Sequence, residues 1–149
     1  MKIIIADDEN IGRHDLASVI TRGPPIEIVG EADDSETLLS LVDTTPADVI
    51  LLDMGLPRLG GLDIVEKIHA KHPEANVVIL TKHEDAASIR NAIELGVAAY
   101  LLRSVDREEL LRALHRVNYG HRYVQGQLTG ALLEAMTDRS PPADKLKGS

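Results

Sequence analysis

Five short apolar runs alternate along the chain with five amphipathic segments, and this alternation constrains the fold more than any other feature. Each apolar run has five or six residues and is rich in Ile, Val and Leu, which is typical of buried strands. The pattern predicts strands at residues 2–6, 26–31, 48–52, 75–80 and 98–102 and helices at about 10–21, 34–42, 62–71, 85–95 and 106–117. Such an alternation predicts an α/β fold with a parallel sheet, right-handed crossovers and helices on both faces. Five units are too few to close a barrel, so the sheet is open.

The composition agrees with this fold and excludes several functions. The 149 residues include no Cys, Trp or Phe and three Tyr, so the core is aliphatic and disulfides are excluded. A net charge of −8 argues against binding to a phosphate backbone, and the few aromatic rings leave little for bases to stack on. Since no apolar run approaches the roughly 18 residues that span a bilayer, we expect a cytoplasmic protein with no membrane partner.

The chain beyond residue 120 has a different pattern. A further helix is predicted over 125–136, because Leu128, Leu132, Leu133 and Met136 fall on one helical stripe. This stripe either packs back on the preceding domain or forms a dimer or interdomain contact. We therefore expect one domain at 1–120, a C-terminal linker helix at 121–137, and a flexible linker or cloning-derived tail at 138–149.

Carboxylates follow two of the predicted strands. Asp7 and Asp8 end the first strand and Asp53 ends the third. In open sheets of this kind, ligands bind at the carboxyl ends of the strands. If the first and third strands are neighbours, the three carboxylates converge, and a hard divalent cation such as Mg²⁺ would relieve their repulsion.

Two more polar residues stand at strand ends. Thr81 follows the fourth strand with a hydroxyl, and Arg103 follows the fifth with a permanent positive charge. Together with the carboxylates they suit a phosphoryl group, for which one carboxylate is the nucleophile. Each residue alone also fits a helix cap or a surface charge, so only their joint placement favours phosphoryl chemistry.

Several sequence blocks resemble the receiver domains of two-component response regulators. The blocks are IIIADDE at 3–9, DVILLDMGLP at 48–57 with Gly60-Gly61, VVILT at 77–81 and AYLLR at 99–103. The last block and DREEL at 106–110 resemble the subfamily whose receiver precedes a LuxR-type helix-turn-helix domain. The likeness covers about residues 1–120 and implies a doubly wound, flavodoxin-like (βα)5 sheet of strand order 2-1-3-4-5.

The resemblance also implies roles for individual residues. Asp53 would accept a phosphoryl group from a sensor histidine kinase, and Mg²⁺ would be held by Asp7, Asp8, Asp53 and the carbonyl of Gly55. Thr81 would contact the phosphoryl group. Met54 is a further candidate for that contact.

Tyr100 occupies the position of the family's switch aromatic. A new dianion on Asp53 would draw Thr81 inward and open space for the Tyr100 ring, which would change the face formed by the predicted 85–95 helix, fifth strand and 106–117 helix. The alternative is an ordinary aromatic side chain on an edge strand.

Two residues depart from the family pattern. Arg103 stands where the family has an almost invariant Lys, and a planar guanidinium does not substitute simply for an ammonium. We expect Asp53 to remain a phosphoacceptor, with altered coupling to the output face. Lys82 stands where small or apolar residues are common, and either its ammonium reaches the phosphoryl site or it is a solvated lysine.

The leading hypothesis is a phosphorylation-dependent switch that is not a turnover enzyme, forms a homodimer on activation and controls DNA binding through a domain absent from this chain. One alternative is a pseudo-receiver in which Arg103 forms a salt bridge with unmodified Asp53. A second is a Mg²⁺-dependent aspartyl phosphohydrolase, but the acid/base carboxylate expected soon after the nucleophile is missing from Met54-Gly55-Leu56. A third, an FMN-binding flavodoxin-like protein, lacks a phosphate-cradling loop after the first strand.

Overall fold

The structure is a computed structural model that describes residues 1–7 and 26–137. These residues contain a sheet of six parallel strands in the order β2-β1-β3-β4-β5-β6. The strands are β1 Lys2–Ala6, β2 Glu27–Ala32, β3 Val49–Asp53, β4 Val77–Thr81, β5 Ala99–Leu102 and β6 Tyr123–Val124. The predicted doubly wound sheet is confirmed, and β1 lies beside β3 as the converging carboxylates require.

Five helices belong to the described residues. They are α1 Ser35–Thr44, α2 Asp63–Lys71, α3 Ala86–Glu94, α4 Arg107–Asn118 and α5 Thr129–Thr137, with 3-10 turns at Pro57–Leu59 and Gly126–Leu128. Three of these helices begin at an aspartate whose carboxylate accepts the amide three residues on: Asp34, Asp85 and Asp106. The helix predicted at 10–21 lies outside the described residues.

The core has two halves, one on each face of the sheet. Because side chains alternate along a strand, Ile4 and Leu52 enter one half while Ile3 and Leu51 enter the other. Residues of α1, α2, α3 and α5 cover the first half, and α4 covers the second. Strands buried on both faces explain why the sequence shows continuous apolar runs instead of alternation.

The sequence pattern did not predict the sixth strand. Tyr123 and Val124 pair with β5, and the Tyr123 amide donates to the carbonyl of Ala98 at 3.0 Å. Two residues are too few to give a periodic signal, and they fall inside the range predicted as a linker helix. The helix itself starts at Thr129, not 125, because a 3-10 turn precedes it.

The α5 helix packs back on the domain, against α3. The predicted apolar stripe is only half right: Leu128 is buried and Leu132 packs on the core, but Leu133 and Met136 are 57% and 70% exposed. The inner face is completed instead by Ala131 and Ala135. Small side chains at these positions allow close approach to α3, which fixes the rotation of the helix.

Within 1–7 and 26–137, no helix combines the length and the apolar character that crossing a membrane would need.

Candidate functional site

The carboxyl ends of four neighbouring strands meet at one edge of the sheet. Asp7 directly follows β1, Asp53 and Thr81 end β3 and β4, and Arg103 directly follows β5. The register aligns these ends, since Ala6 lies opposite Leu52, Asp53 opposite Leu80 and Thr81 opposite Leu102. The topology therefore brings these four predicted residues to one place. Asp8 lies outside the described residues.

Two carboxylates are buried at this edge. Asp7 and Asp53 are 2% and 3% exposed and follow adjacent positions of neighbouring strands. Buried like charges are costly unless a cation or hydrogen-bond donors offset them. Mg²⁺ commonly takes one or two carboxylates and completes its octahedron with water and phosphate oxygens, so this oxygen donor set fits it. The described residues do not by themselves form a group of three or more His, Cys, Asp or Glu ligands.

Both oxygens of Asp53 have hydrogen-bond donors. Oδ1 accepts the amide of Gly55 at 2.9 Å, and Oδ2 accepts Nη2 of Arg103 at 2.8 Å. The Asp53 side chain is 5% exposed, whereas that of Arg103 is 43% exposed. The guanidinium thus reaches from the solvent side and offsets the charge of the buried carboxylate.

Thr81 is buried at the end of β4 and begins the loop to α3. Its hydroxyl oxygen accepts the amide of His83 at 3.2 Å, which leaves the hydroxyl proton for another acceptor. Thr81 also lines a cavity of about 280 Å³ with Met54, Leu62 and Asn91.

Tyr100 points into the protein in the unmodified chain. The ring is 2% exposed, and its hydroxyl donates to the carbonyl of His83 at 2.7 Å. Burial raises the pKa of Tyr100 to about 12; the negative charge of Asp85 acts in the same direction and a hydrogen bond with Thr81 acts against it. Because β6 pairs with β5, Tyr100 does not lie on an edge strand, while its role as a switch or as an ordinary core aromatic stays a prediction.

Two other candidates have different surroundings. Lys82 is exposed, and within the described part of the chain no hydrogen bond or ion pair joins it to Asp53. Met54 is half-buried against the core, and its amide donates to the carbonyl of Leu80 at 2.8 Å. The Met54 amide is therefore committed to the pairing of β3 with β4.

Gln125 was not among the predicted site residues, but the structure places it next to the site. Its side chain is buried, and Oε1 accepts the amide of Leu102 at 2.8 Å, one residue before Arg103. The backbone amide of Gln125 donates to the carbonyl of Tyr100 at 3.1 Å. Gln125 thus joins the end of β5 to the segment that leads into α5. A single glutamine in a polar stretch carries no periodic signal.

Comparison with known proteins identifies similar chains. The family model described as "Response regulator receiver domain" matches residues 3–115. The transcriptional regulatory protein DegU of Brevibacillus brevis is 27% identical over 90% of this chain and 57% of its own length. The nitrate/nitrite response regulator NarL of Escherichia coli K12 is 29% identical over 90% of this chain and 62% of its own.

A solved structure has the same fold and a related sequence. The crystal structure of a two-component response regulator of the LuxR family from Aurantimonas sp. SI85-9A1 superposes with a TM-score of 0.84 at 28% identity. The superposition covers 91% of this chain and 96% of that one. By contrast, this chain spans between about half and two thirds of the length of the curated relatives it matches, 57% of DegU and 62% of NarL.

Proposed function

Since the chain belongs to the family of response regulator receiver domains, we propose that it is a phosphorylation-dependent switch whose phosphoacceptor is Asp53. The observation that carries this assignment is the position of Asp53. It is a buried carboxylate at the end of a central strand, beside Asp7 and within reach of the Arg103 guanidinium. A nucleophile and its charge-compensating groups thus lie on rigid elements.

The reaction follows from these groups. An oxygen of Asp53 attacks the phosphorus of a phosphohistidine on a sensor histidine kinase; the new P–O bond forms as the P–N bond breaks, and the imidazole leaves. Asp7, Asp8, Asp53 and the carbonyl of Gly55 would hold Mg²⁺, which when bound neutralises charge on the transferring phosphoryl oxygens. The Gly55 amide already donates to Oδ1 and holds the carboxylate in place.

Two side chains would then bind the phosphoryl group. The Arg103 guanidinium has several N–H donors, so it can keep one on Asp53 while others turn to phosphoryl oxygens. The Thr81 hydroxyl accepts from the His83 amide and can donate its own proton to the same group. Arg103 would thereby take the place of the lysine usual in the family.

The switch would act on a longer protein. We take residues 1–120 as the receiver, 121–137 as the linker and 138–149 as its continuation, with a DNA-binding output domain beyond. DegU is by name a transcriptional regulatory protein and NarL a response regulator, and this chain spans only part of each. The protein would act in the cytoplasm, receive its phosphoryl group from a histidine kinase, form a homodimer on activation, and promote its own phosphotransfer and dephosphorylation without being a turnover enzyme.

Intact-mass spectrometry with acetyl phosphate tests this proposal. We expect a Mg²⁺-dependent gain of one phosphoryl group that is lost in Asp53→Asn. The matched control Asp63→Asn, at an exposed aspartate in the first turn of α2, keeps the gain. A gain that persists in Asp53→Asn contradicts the assignment, and sustained turnover of a generic phosphate ester would favour the phosphohydrolase instead.

The pseudo-receiver is the second candidate, and the Arg103–Asp53 ion pair favours it. In that case the guanidinium would hold Asp53 permanently, and no phosphodonor would modify the chain. The substitution Arg103→Lys separates the two functions. An adduct that forms only in Arg103→Lys supports the pseudo-receiver, whereas an adduct on the unmodified sequence excludes it.

A further inference from the structure

Gly55 lies directly beneath the guanidinium of Arg103. A Cβ atom built on Gly55 would lie 2.8 Å from Nη1 and 3.0 Å from Cζ of Arg103, and 3.2 Å from Oδ1 of Asp53. Real Cβ atoms essentially never make contacts as short as the first, and the group that would shift is the flexible end of the Arg103 side chain. The guanidinium therefore packs on bare backbone, in space that any other residue at position 55 would fill.

The backbone itself does not require glycine at this position. Four described glycines have positive φ angles that favour glycine: Gly60 at 80°, Gly61 at 74°, Gly96 at 85° and Gly120 at 94°. Gly55 is not among them. The three atoms nearest to its missing Cβ all belong to Arg103 and Asp53. What the absent side chain provides is room for the ion pair.

We propose that Gly55 is a positioning residue matched to Arg103: it admits the guanidinium to Asp53, and the guanidinium then screens the unmodified carboxylate against a divalent cation. A guanidinium is flat and needs a flat surface to lie on, whereas an ammonium is a compact point charge. Gly55 and Arg103 thus act together in forming the ion pair with Asp53. The pairing stands on geometry alone, and only the screening of the cation rests on the proposed function.

The screening should weaken the binding of Mg²⁺ to Asp53. The guanidinium adds a positive charge 2.8 Å from Oδ2, so it competes with any second cation for Asp53. Since the Arg103 side chain is 43% exposed, water weakens the effect. We expect Arg103→Ala to tighten Mg²⁺ binding by roughly two- to fivefold, a modest change typical of partly exposed charge pairs.

A double-mutant cycle tests the pairing through Mg²⁺ affinity. Isothermal titration calorimetry would compare the unmodified sequence, Gly55→Ala, Arg103→Ala and the double variant. Gly55→Ala should tighten Mg²⁺ binding about as much as Arg103→Ala, by roughly two- to fivefold, because it displaces the guanidinium. The double variant should match Arg103→Ala within about twofold, since coupled residues are not additive.

The control is Gly126→Ala. Gly126 has no positive φ, and a Cβ there meets nothing within 4 Å, so the dissociation constant should not change. Additive effects of Gly55→Ala and Arg103→Ala, or an unchanged constant in Gly55→Ala, would overturn the matched pair.

A measurement without metal separates this inference from the proposed function. In nitrogen-15 spectra of metal-free protein, the Nη–H signals of Arg103 should be protected from exchange in the unmodified sequence and lose that protection in Gly55→Ala. If the signals are the same in both, the pairing is wrong. If they differ but no variant binds Mg²⁺, the pairing is upheld, while the screening role and the proposed metal site both fail.

Discussion

Tyr100 points inward in this structure, and its hydroxyl donates to a loop carbonyl. The hydrogen bond to His83 ties the ring to the connection between Thr81 and α3. A charge event at Asp53 that moves Thr81 would therefore act on a ring that is already seated. The resemblance predicts a ring that turns inward on activation; under the proposed function, the 81–85 loop would instead adjust around a ring that is already buried.

The burial of Tyr100 predicts a late-titrating phenol. Its pKa is raised from 10.0 to about 12, so the folded chain holds this proton after the unfolded chain has released it. Stability conferred by the neutral phenol is present below pH 10 and is lost as the pH rises toward 12, by about 2–3 kcal/mol in all. Absorbance at 295 nm should record one phenol titrating near pH 12 that disappears in Tyr100→Phe.

The small number of tyrosines makes this titration clear, because the chain has three and no Trp. If the difference between the curves of the unmodified sequence and Tyr100→Phe is centred near pH 10, the hydroxyl is not buried as described.

Among the elements of the fold, the segment after α4 connects the end of β5 at the site to α5. Gln125 binds the Leu102 amide, β6 covers the edge of β5, and α5 lies on α3. Arg90 of α3 also donates from Nε to the carbonyl of Ala135 at 3.3 Å. The segment after α4 is thus attached to β5 and α3, the strand and helix next to Arg103 and Thr81.

Replacing Gln125 should loosen this attachment. Gln125→Leu leaves the buried Leu102 amide without its acceptor, and an unsatisfied buried donor costs about 1–3 kcal/mol. Urea denaturation should show a loss of unfolding free energy of that size. The control is Met136→Leu, at a 70% exposed side chain of α5, which should cost well under 1 kcal/mol. Equal effects of the two substitutions would show that Gln125 has no special role.

The elements that the sequence predicted well are those fixed by burial. Strands such as Val49–Asp53 are buried at every position, and apolar runs of this kind give a strong pattern. Helix starts at Asp85 and Asp106 were predictable because capping aspartates have a local cause. The two-residue β6 and the rotation of α5 depend on tertiary contacts with β5 and α3, which leave no periodic trace in the chain.

The site also has features that the sequence predicts and features that only the structure shows. Residues at strand ends, such as Asp53 and Thr81, could be predicted because the topology alone decides where they meet. Whether Arg103 pairs with Asp53 depends on space above residue 55, and that space is visible only when both loops are in place. The resemblance implies that the Gly55 carbonyl is a Mg²⁺ ligand, but it does not indicate the steric role of Gly55.

Over the whole molecule, part of the net charge of −8 has a defined location. Asp7 and Asp53 place negative charge in a buried crevice, and in the unmodified chain Arg103 offsets it at Asp53. A phosphoryl group would add further negative charge at one end of the sheet. Gln125 lies next to that end of the sheet through its bond to the Leu102 amide, so under the proposed function the charge change would act close to this residue.

Beryllofluoride, a mimic of the phosphoryl group, allows the most direct test of this switch. Amide spectra of the nitrogen-15-labelled chain would be recorded with beryllofluoride, with and without Mg²⁺. We predict Mg²⁺-dependent shifts at Gly55, Thr81 and Arg103 that extend through Leu102 to Gln125, and none of them in Asp53→Asn. Spectra that do not change in the presence of both reagents would contradict a phosphorylation-dependent switch at Asp53.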